Sequence, residues 1–387
     1  MITRLELKKF TAFTDLAIDF SPKINVIIGE NGSGKTQLLK SVYALCAGGA
    51  LQIGRTGDEL TLALTRKLVR LLMPLDDKLG NMRRPGARGN AQLKATLALG
   101  GELELTFNGS SAVAVVNSNA AYKSYRAEPI FVPTKEVLSL VRGMTDVKHD
   151  QRTVELIFDD GYLDLAQMLL RKSVDDPEPK INLDPRFDSI VPKLANMIGG
   201  RYQLENGGFS FQAGTYVETL GQSSAETKAS QVFQKATTRF VPAKTAALSS
   251  GMTAEGFRKI GVLQRLLTNG TLNPGISGPV LWDEPESNLN PKLMKLLVEI
   301  LLELSRNGQQ VILATHDYVL LKWIDLLMNK GKGDHVMFHS LYRDAKTGEV
   351  KVDSMDDYRA INPNAIADTF NDLTKEQVNR KMGGLGK

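Results

Sequence analysis

Sulfur chemistry is nearly absent from this sequence: one thiol, Cys46, stands among 387 residues. An internal disulfide needs two thiols and a cysteine-based metal cluster needs more, so both are excluded and a reducing compartment fits. Cys46, in a Leu-Cys-Ala that closes an apolar helical stretch, reads as core. Long hydrophobic runs are missing too. None reaches the roughly 20 residues of a membrane span, and the opening MITRLELKKF lacks the apolar core of a signal peptide. A cytoplasmic protein with no membrane partner is therefore expected. Heptads are never sustained and no segment repeats, which argues against a long coiled-coil arm. Charge of either sign is in short surplus: 48 basic against 43 acidic residues leave +5, which permits nucleic acid or an acidic protein as partner without requiring either.

What is present is an ordinary globular composition, 42% hydrophobic and 24% charged, long enough for two lobes or one domain with a large insertion. Ile2, Leu5 and Leu7, then Leu16 and Ile18, alternate with polar neighbours and predict two strands of an edge sheet. Ile24 to Ile28 predicts a short buried strand running into Gly29-Glu-Asn-Gly-Ser-Gly-Lys-Thr36, after which Leu38, Leu39, Val42 and Leu45 recur at helical spacing. Strand, glycine-rich loop and helix are the context that a phosphate-binding loop demands. Backbone N–H groups of Gly29, Asn31, Gly32, Ser33 and Gly34 can wrap phosphates, Lys35 can reach the β/γ-phosphates, and Thr36 can ligate Mg²⁺.

Between about Leu51 and Thr245 no such signature occurs. An amphipathic helix over 58–75, an exposed loop over 78–90, strands near 92–98, 102–107, 112–117 and 129–133, a mostly helical stretch over 136–198 broken at 175–179, and strands near 201–205 and 208–212 are predicted. The last third returns to alternation: a helix from Thr253 to Leu267, a strand Val280 to Trp282, a helix from Pro291 to Leu304 and a strand Gln310 to Thr315. Such alternation argues for a largely parallel sheet covered on both faces. Strands over 335–342 and 348–353 and a polar helix from Pro363 follow.

Two carboxylates, Asp283 and Glu284, end the second apolar strand. A metal-bound triphosphate needs one acid near Mg²⁺ and hydrolysis needs another to orient or deprotonate water, so Asp283 suits the first role and Glu284 the second; taken alone, the pair would read as a helix cap. His316 ends the next strand and can hold the terminal phosphate and the water. His335 and His339 stand four apart on a predicted strand, which disfavours metal ligation, and His149 reads as a solvated loop residue.

These residues carry a resemblance. Asp283-Glu-Pro-Glu-Ser-Asn-Leu-Asn-Pro291 resembles the extended Walker B and D-loop of ABC-type ATPases, His316 their switch histidine, and Ser249-Ser250-Gly251 the short signature of the RecF/SMC/OLD-like branch. Residues 1–46 and 245–325, about a third of the chain, share it. The resemblance implies an α/β P-loop NTPase fold, an ABC-ATPase head with a mixed sheet and flanking helices, ATP and Mg²⁺ as cofactors, and an ATPase that works as a homodimer or higher homo-oligomer. Ser250 and Gly251 would act on the nucleotide of the other subunit, while Ser287 and Asn290 would lie at the seam. Two positions depart from the family: Thr11 stands where an arginine is common, and no Q-loop glutamine is evident, Gln151 being a guess.

The expected organisation is a head half over 1–60, an inserted α+β lobe over 61–240 and a second head half over 241–387. Phe131-Val-Pro-Thr-Lys-Glu-Val-Leu-Ser139 and Ala254-Glu-Gly-Phe-Arg-Lys259 resemble OLD-like ATPases of phage defence, which implies control of a separate nuclease or toxin, the 71 residues after His316 being too few for a nuclease domain. The alternative is a RecF/SMC-like DNA-binding ATPase of repair or maintenance. A transporter subunit is disfavoured by the 216 positions that separate Lys35 from Gly251. Lys135 and Glu136 read either as neighbours of the nucleotide or as a surface ion pair. Arg66, Lys67, Arg70, Arg83, Arg84 and Arg88 form the one conspicuous basic cluster, able to track a phosphate backbone or to serve as a solvated face.

Overall fold

The computed structural model describes residues 1–51, 57–146, 150–171, 189–219 and 237–383; His149 and the break expected at 175–179 lie outside them. In chain order the elements begin β1 (Ile2–Phe10), β2 (Phe13–Asp19), β3 (Ile24–Gly29), α1 (Lys35–Leu51), α2 (Gly57–Leu72), β4 (Ala91–Leu97), β5 (Glu102–Phe107), β6 (Val115–Ser118), α3 (Ala120–Ser124) and β7 (Ile130–Val132). They continue as α4 (Val141–Thr145), α5 (Gln151–Ile157), α6 (Asp160–Leu170), α7 (Ile190–Ile198), β8 (Gly200–Glu205), β9 (Gly208–Thr219), β10 (Thr237–Pro242), β11 (Leu248–Ser249) and α8 (Glu255–Thr268). The chain then runs through β12 (Val280–Asp283), α9 (Pro291–Arg306), β13 (Val311–Ala314), α10 (Tyr318–Leu327), β14 (Val336–Arg343), β15 (Val350–Met355) and α11 (Ala365–Gly383).

Two compact units divide the chain, one of Met1–Thr134, Arg152–Leu165 and Asn273–Lys387, the other of Lys135–Gln151 and Ala166–Leu272. The first unit holds a six-stranded sheet in the order β15-β14-β3-β13-β12-β7, parallel except for β15. Its central strands β12 and β13 are buried throughout, which is why they read as short continuous apolar runs rather than alternating ones. A second, antiparallel sheet has the order β2-β1-β4-β5-β6. Here one face is buried: Ala91, Leu93, Ala95 and Leu97 of β4 point into the core and their neighbours do not. Gln310, buried before β13, joins the start of β1 by accepting from the Ile2 N–H (2.9 Å) and donating to the Ile2 carbonyl (2.8 Å).

Residues 61–118 belong to the first unit because β4 continues the ladder of β1 and α2 packs on α1. Helix α8 and the turn before it fall in the second unit. There α8 packs on α7 and β8, and Gly261 allows the approach: a Cβ at that position would fall 2.2 Å from the Tyr202 ring. The β8–β9 hairpin turns at Asn206-Gly207 with φ of +50° and +74°, the left-handed pair that a tight hairpin requires. The mostly helical stretch expected over 136–198 is found, among the described residues, as the short helices α4 to α7.

The loop over 78–90 is less free than expected. Leu79 and Met82 are buried, the Thr11 N–H donates to the Met82 carbonyl (2.8 Å) and the Arg84 N–H to the Lys9 carbonyl (2.8 Å), so the loop is sewn to the β1–β2 turn. Among the described residues no helix is long and apolar enough to cross a membrane.

Candidate functional site

At the end of β3 the chain turns through Gly29, Gly32 and Gly34 at φ of +151°, +78° and +95°, and α1 begins at Lys35. Side chains are barred at two of these places. A Cβ on Gly29 would lie 2.3 Å from the Leu341 carbonyl oxygen, and one on Gly34 would lie 2.7 Å from the Phe13 ring. Asn31 and Gly32 form the exposed crest, while Ser33 is buried with a hydroxyl that has no hydrogen-bond partner. The Lys35 ammonium curls back to donate to the carbonyls of Gly29 (2.7 Å) and Glu30 (3.0 Å). Burial lowers its pKa, opposed by the charges of Glu284, Asp283 and Glu286. A helix N-terminus, a glycine loop and a cation turned inward make a cradle for anionic oxygens.

Asp283 ends β12 directly beside α1. Its Oδ2 accepts from the Thr36 hydroxyl (2.8 Å) and from the Thr134 hydroxyl (3.1 Å), and burial raises its proton affinity against those two bonds. Two hydroxyls converging on one carboxylate oxygen form an all-oxygen donor set, which suits a hard divalent cation such as Mg²⁺. Sequence reasoning missed Thr134. Its signal was the same as for Asp283 and His316: a polar residue just past the C-terminal end of an apolar strand, here β7, which pairs with β12.

Glu284 follows with φ of +49°, a left-handed conformation that a glutamate holds only under constraint. Its N–H donates to the Ala314 carbonyl (2.9 Å), and its Oε1 lies 3.2 Å from His316 Nδ1 at the end of β13. Glu286 lies beneath them, buried, accepting from the Thr315 hydroxyl (2.6 Å). Burial raises its pKa, against that hydrogen bond. The chain continues through Ser287, whose hydroxyl donates to the Thr134 carbonyl (3.3 Å), to Asn290, which is exposed and caps α9 by accepting from the Lys292 N–H (3.0 Å).

Family models match both arms of this site: residues 4–66 match an AAA domain, and residues 245–322 match an AAA domain described as putative AbiEii toxin, Type IV TA system. Relatives include a DNA replication and repair protein RecF of Ligilactobacillus salivarius, 34% identical over 82 residues, which are 21% of each chain. Another RecF, of Lactobacillus gasseri, is 27% identical over 239 residues, 57% of this chain and 58% of that one. Less than two thirds of either relative is thus covered. A solved SMC head bound to the C-winged helix domain of ScpA superposes with a TM-score of 0.50 at 12% identity, over 93% of this chain and 98% of that one. The chain thus has the α/β fold of an ABC-type ATPase head, and two of its stretches are similar to AAA domains.

The Ser249-Ser250-Gly251 turn, expected to act on the nucleotide of another subunit, lies in the second unit. Ser250 is buried, its hydroxyl aimed at the Leu138 carbonyl (3.4 Å), whereas Ser249 and Gly251 are exposed. The outward hydroxyl of the turn is therefore that of Ser249, because Ser250 begins the 3-10 turn and its carbonyl takes the Thr253 hydroxyl (2.7 Å). Gln151 falls in the second unit, and the strand end that meets Asp283 carries Thr134 instead. Glu136 is a buried partner of Arg258 (2.8 Å), within the second unit, not a surface ion pair with Lys135.

The basic cluster is largely consumed by partners within the chain. Lys67 pairs with Asp160 and Asp164 (2.8 Å each), and Arg70 pairs with Asp160 (3.2 Å) and donates to the carbonyls of Glu155 and Phe158. Arg83 and Arg84 donate to backbone carbonyls, the latter to that of Ala12. Only Arg66 and Arg88 of the six are exposed. His335 and His339 are no metal pair: the first meets the Ser21 hydroxyl (2.7 Å), the second is buried against Ser354 and Asn25, and no group of three potential metal-ligating side chains of His, Cys, Asp or Glu occurs among the described residues.

Proposed function

We propose that this chain binds Mg·ATP at the β3–α1 loop and hydrolyses it while two copies face each other across the nucleotides. The observation that carries the reading is the gathering of Lys35, Thr36, Asp283, Glu284 and His316 at the carboxyl ends of β3, β12 and β13 in one sheet. Lys35 releases the carbonyls of Gly29 and Glu30 to take phosphate oxygens, and the loop N–H groups with the free Ser33 hydroxyl take the rest. Thr36, Asp283 and Thr134 hold Mg²⁺, which when bound neutralises charge on the β- and γ-phosphate oxygens. Glu284 orients and deprotonates the attacking water, and His316, fixed through Nδ1, presents its other edge to the terminal phosphate. The exposed Asn290 at the head of α9 in the first unit and, separately, the exposed Ser249 and Gly251 of the second unit are the residues offered to the nucleotide of a second copy.

For the partner, the names of the RecF relatives favour nucleic acid over a separate effector, and the AbiEii wording of the matched family keeps nuclease or toxin control as the second reading. Phosphate release from Mg·ATP tests the enzyme: the wild-type chain is expected to turn over, and Lys35→Ala to lose nucleotide binding by about 50-fold or more, the scale of two charged hydrogen bonds. No release by the wild type would end the reading. DNA retention that falls steeply with salt decides for nucleic acid, and copurification of a nuclease or toxin with no DNA retention decides for the effector.

A further inference from the structure

Glu286 has no role in the mechanism above, yet it is nine-tenths buried at the centre of the site. Its Oε1 accepts from the Thr315 hydroxyl (2.6 Å), lies 3.4 Å from the His316 N–H and 3.9 Å from His316 Nδ1. Thr315 Oγ1 in turn accepts from the Asp317 N–H (3.0 Å), and Asp317 caps α10 by accepting from the Leu320 N–H (2.6 Å). One acid thus ties the residues on both sides of His316. Its second oxygen, Oε2, is buried with no hydrogen-bond partner. For stability an apolar side chain would serve as well or better, since a desolvated carboxylate with a spare oxygen costs a few kcal/mol.

We propose that Glu286 is the positioning residue of His316, clamping the 315–317 turn so that the ring keeps Nδ1 on Glu284 and leaves Nε2 on the opposite edge. The clamp rests on the reading of Glu284 and His316 as the hydrolytic pair. What the geometry uses is an acceptor oxygen for a hydroxyl and an amide, not a charge. Burial favours the neutral acid, which a glutamine amide copies in shape and in its acceptor.

Glu286→Gln, Glu286→Leu and Thr315→Val test this in the full chain. The Gln variant is expected to keep kcat within about threefold; the Leu variant to lose about 30-fold in kcat with nucleotide Kd within about twofold; and Thr315→Val to lose about fivefold. A readout independent of turnover is the NMR signal of His316 in protein carrying labelled histidine: there are four histidines, and His316→Ala assigns the signal. It is expected to stay put in the Gln variant and to shift and broaden in the Leu and Val variants. Glu286→Leu with wild-type kcat and an unmoved signal overturns the proposal, as does a Gln variant as impaired as Leu. Should Leu prevent folding, wild-type kcat and signal in Thr315→Val overturn it. Should the wild type not hydrolyse ATP, the functional reading falls and the His316 signal alone decides the clamp.

Discussion

Thr134 donates its hydroxyl to Asp283 Oδ2 over 3.1 Å, on the same oxygen that Thr36 reaches at 2.8 Å. The segment after strand β7 thereby brings to the proposed cation site a residue that lies 98 positions beyond Thr36 in the chain. Thr134→Val keeps the shape and removes the oxygen. The apparent affinity for Mg²⁺, read by titrating the metal into protein holding a fluorescent ATP analogue, is expected to fall about fivefold, the scale of one hydrogen-bonding group. Nucleotide binding without metal is expected to stay within about twofold. An unchanged Mg²⁺ titration removes Thr134 from the site.

The ion pairs of Lys67 turn a feature that reads as a nucleic-acid surface into a structural one. Lys67 joins α2 to Asp160 and Asp164 of α6, and Tyr43 of α1 adds a hydrogen bond to Asp164 (2.6 Å). Breaking such a half-buried cluster from one side leaves two carboxylates short of compensation. Lys67→Ala is expected to cost about 2 kcal/mol in urea unfolding while DNA retention stays within about twofold. Lost DNA retention at unchanged stability would restore the surface reading.

His339 makes the stability of the sheet depend on pH. Burial pushes its pKa down to about 4, the nearby Asp19 charge opposing, so the folded chain keeps the ring neutral between Ser354 and Asn25. An unfolded histidine titrates near about 6.5. The folded state therefore has the full benefit above that value and loses it as pH falls toward 4. At a pH of about 5 the loss is about 2 kcal/mol relative to neutrality. Urea unfolding of the wild type and of His339→Gln at both pH values should differ by this amount, and parallel curves would contradict it.

Much of the head was legible because its physics is local. The glycines at 29, 32 and 34, the buried run before them and the helical spacing after them specify strand, loop and helix within about 25 residues, and Asp283, Glu284 and His316 sit at the ends of apolar runs too short to be anything but buried strands. Helix α10 was readable too, from the Asp317 cap and the spacing of Leu320, Leu321 and Ile324, and was passed over. Partnership between distant segments was not legible. The alternation at 91–97 predicts a strand, but only its register with β1 says that it belongs to the head. Likewise nothing in Ser-Ser-Gly says which serine faces outward; that is decided by the Leu138 carbonyl, 112 residues away.

Nucleotide held between two copies is the central proposal, and Glu284→Gln tests it most directly, since the amide keeps the shape of the site and removes the base. Light scattering on the eluting protein is expected to give the mass of two chains, about twice 42.4 kDa, with Mg·ATP and of one chain without it. One chain's mass under both conditions, with ATP shown to be bound, would contradict the account.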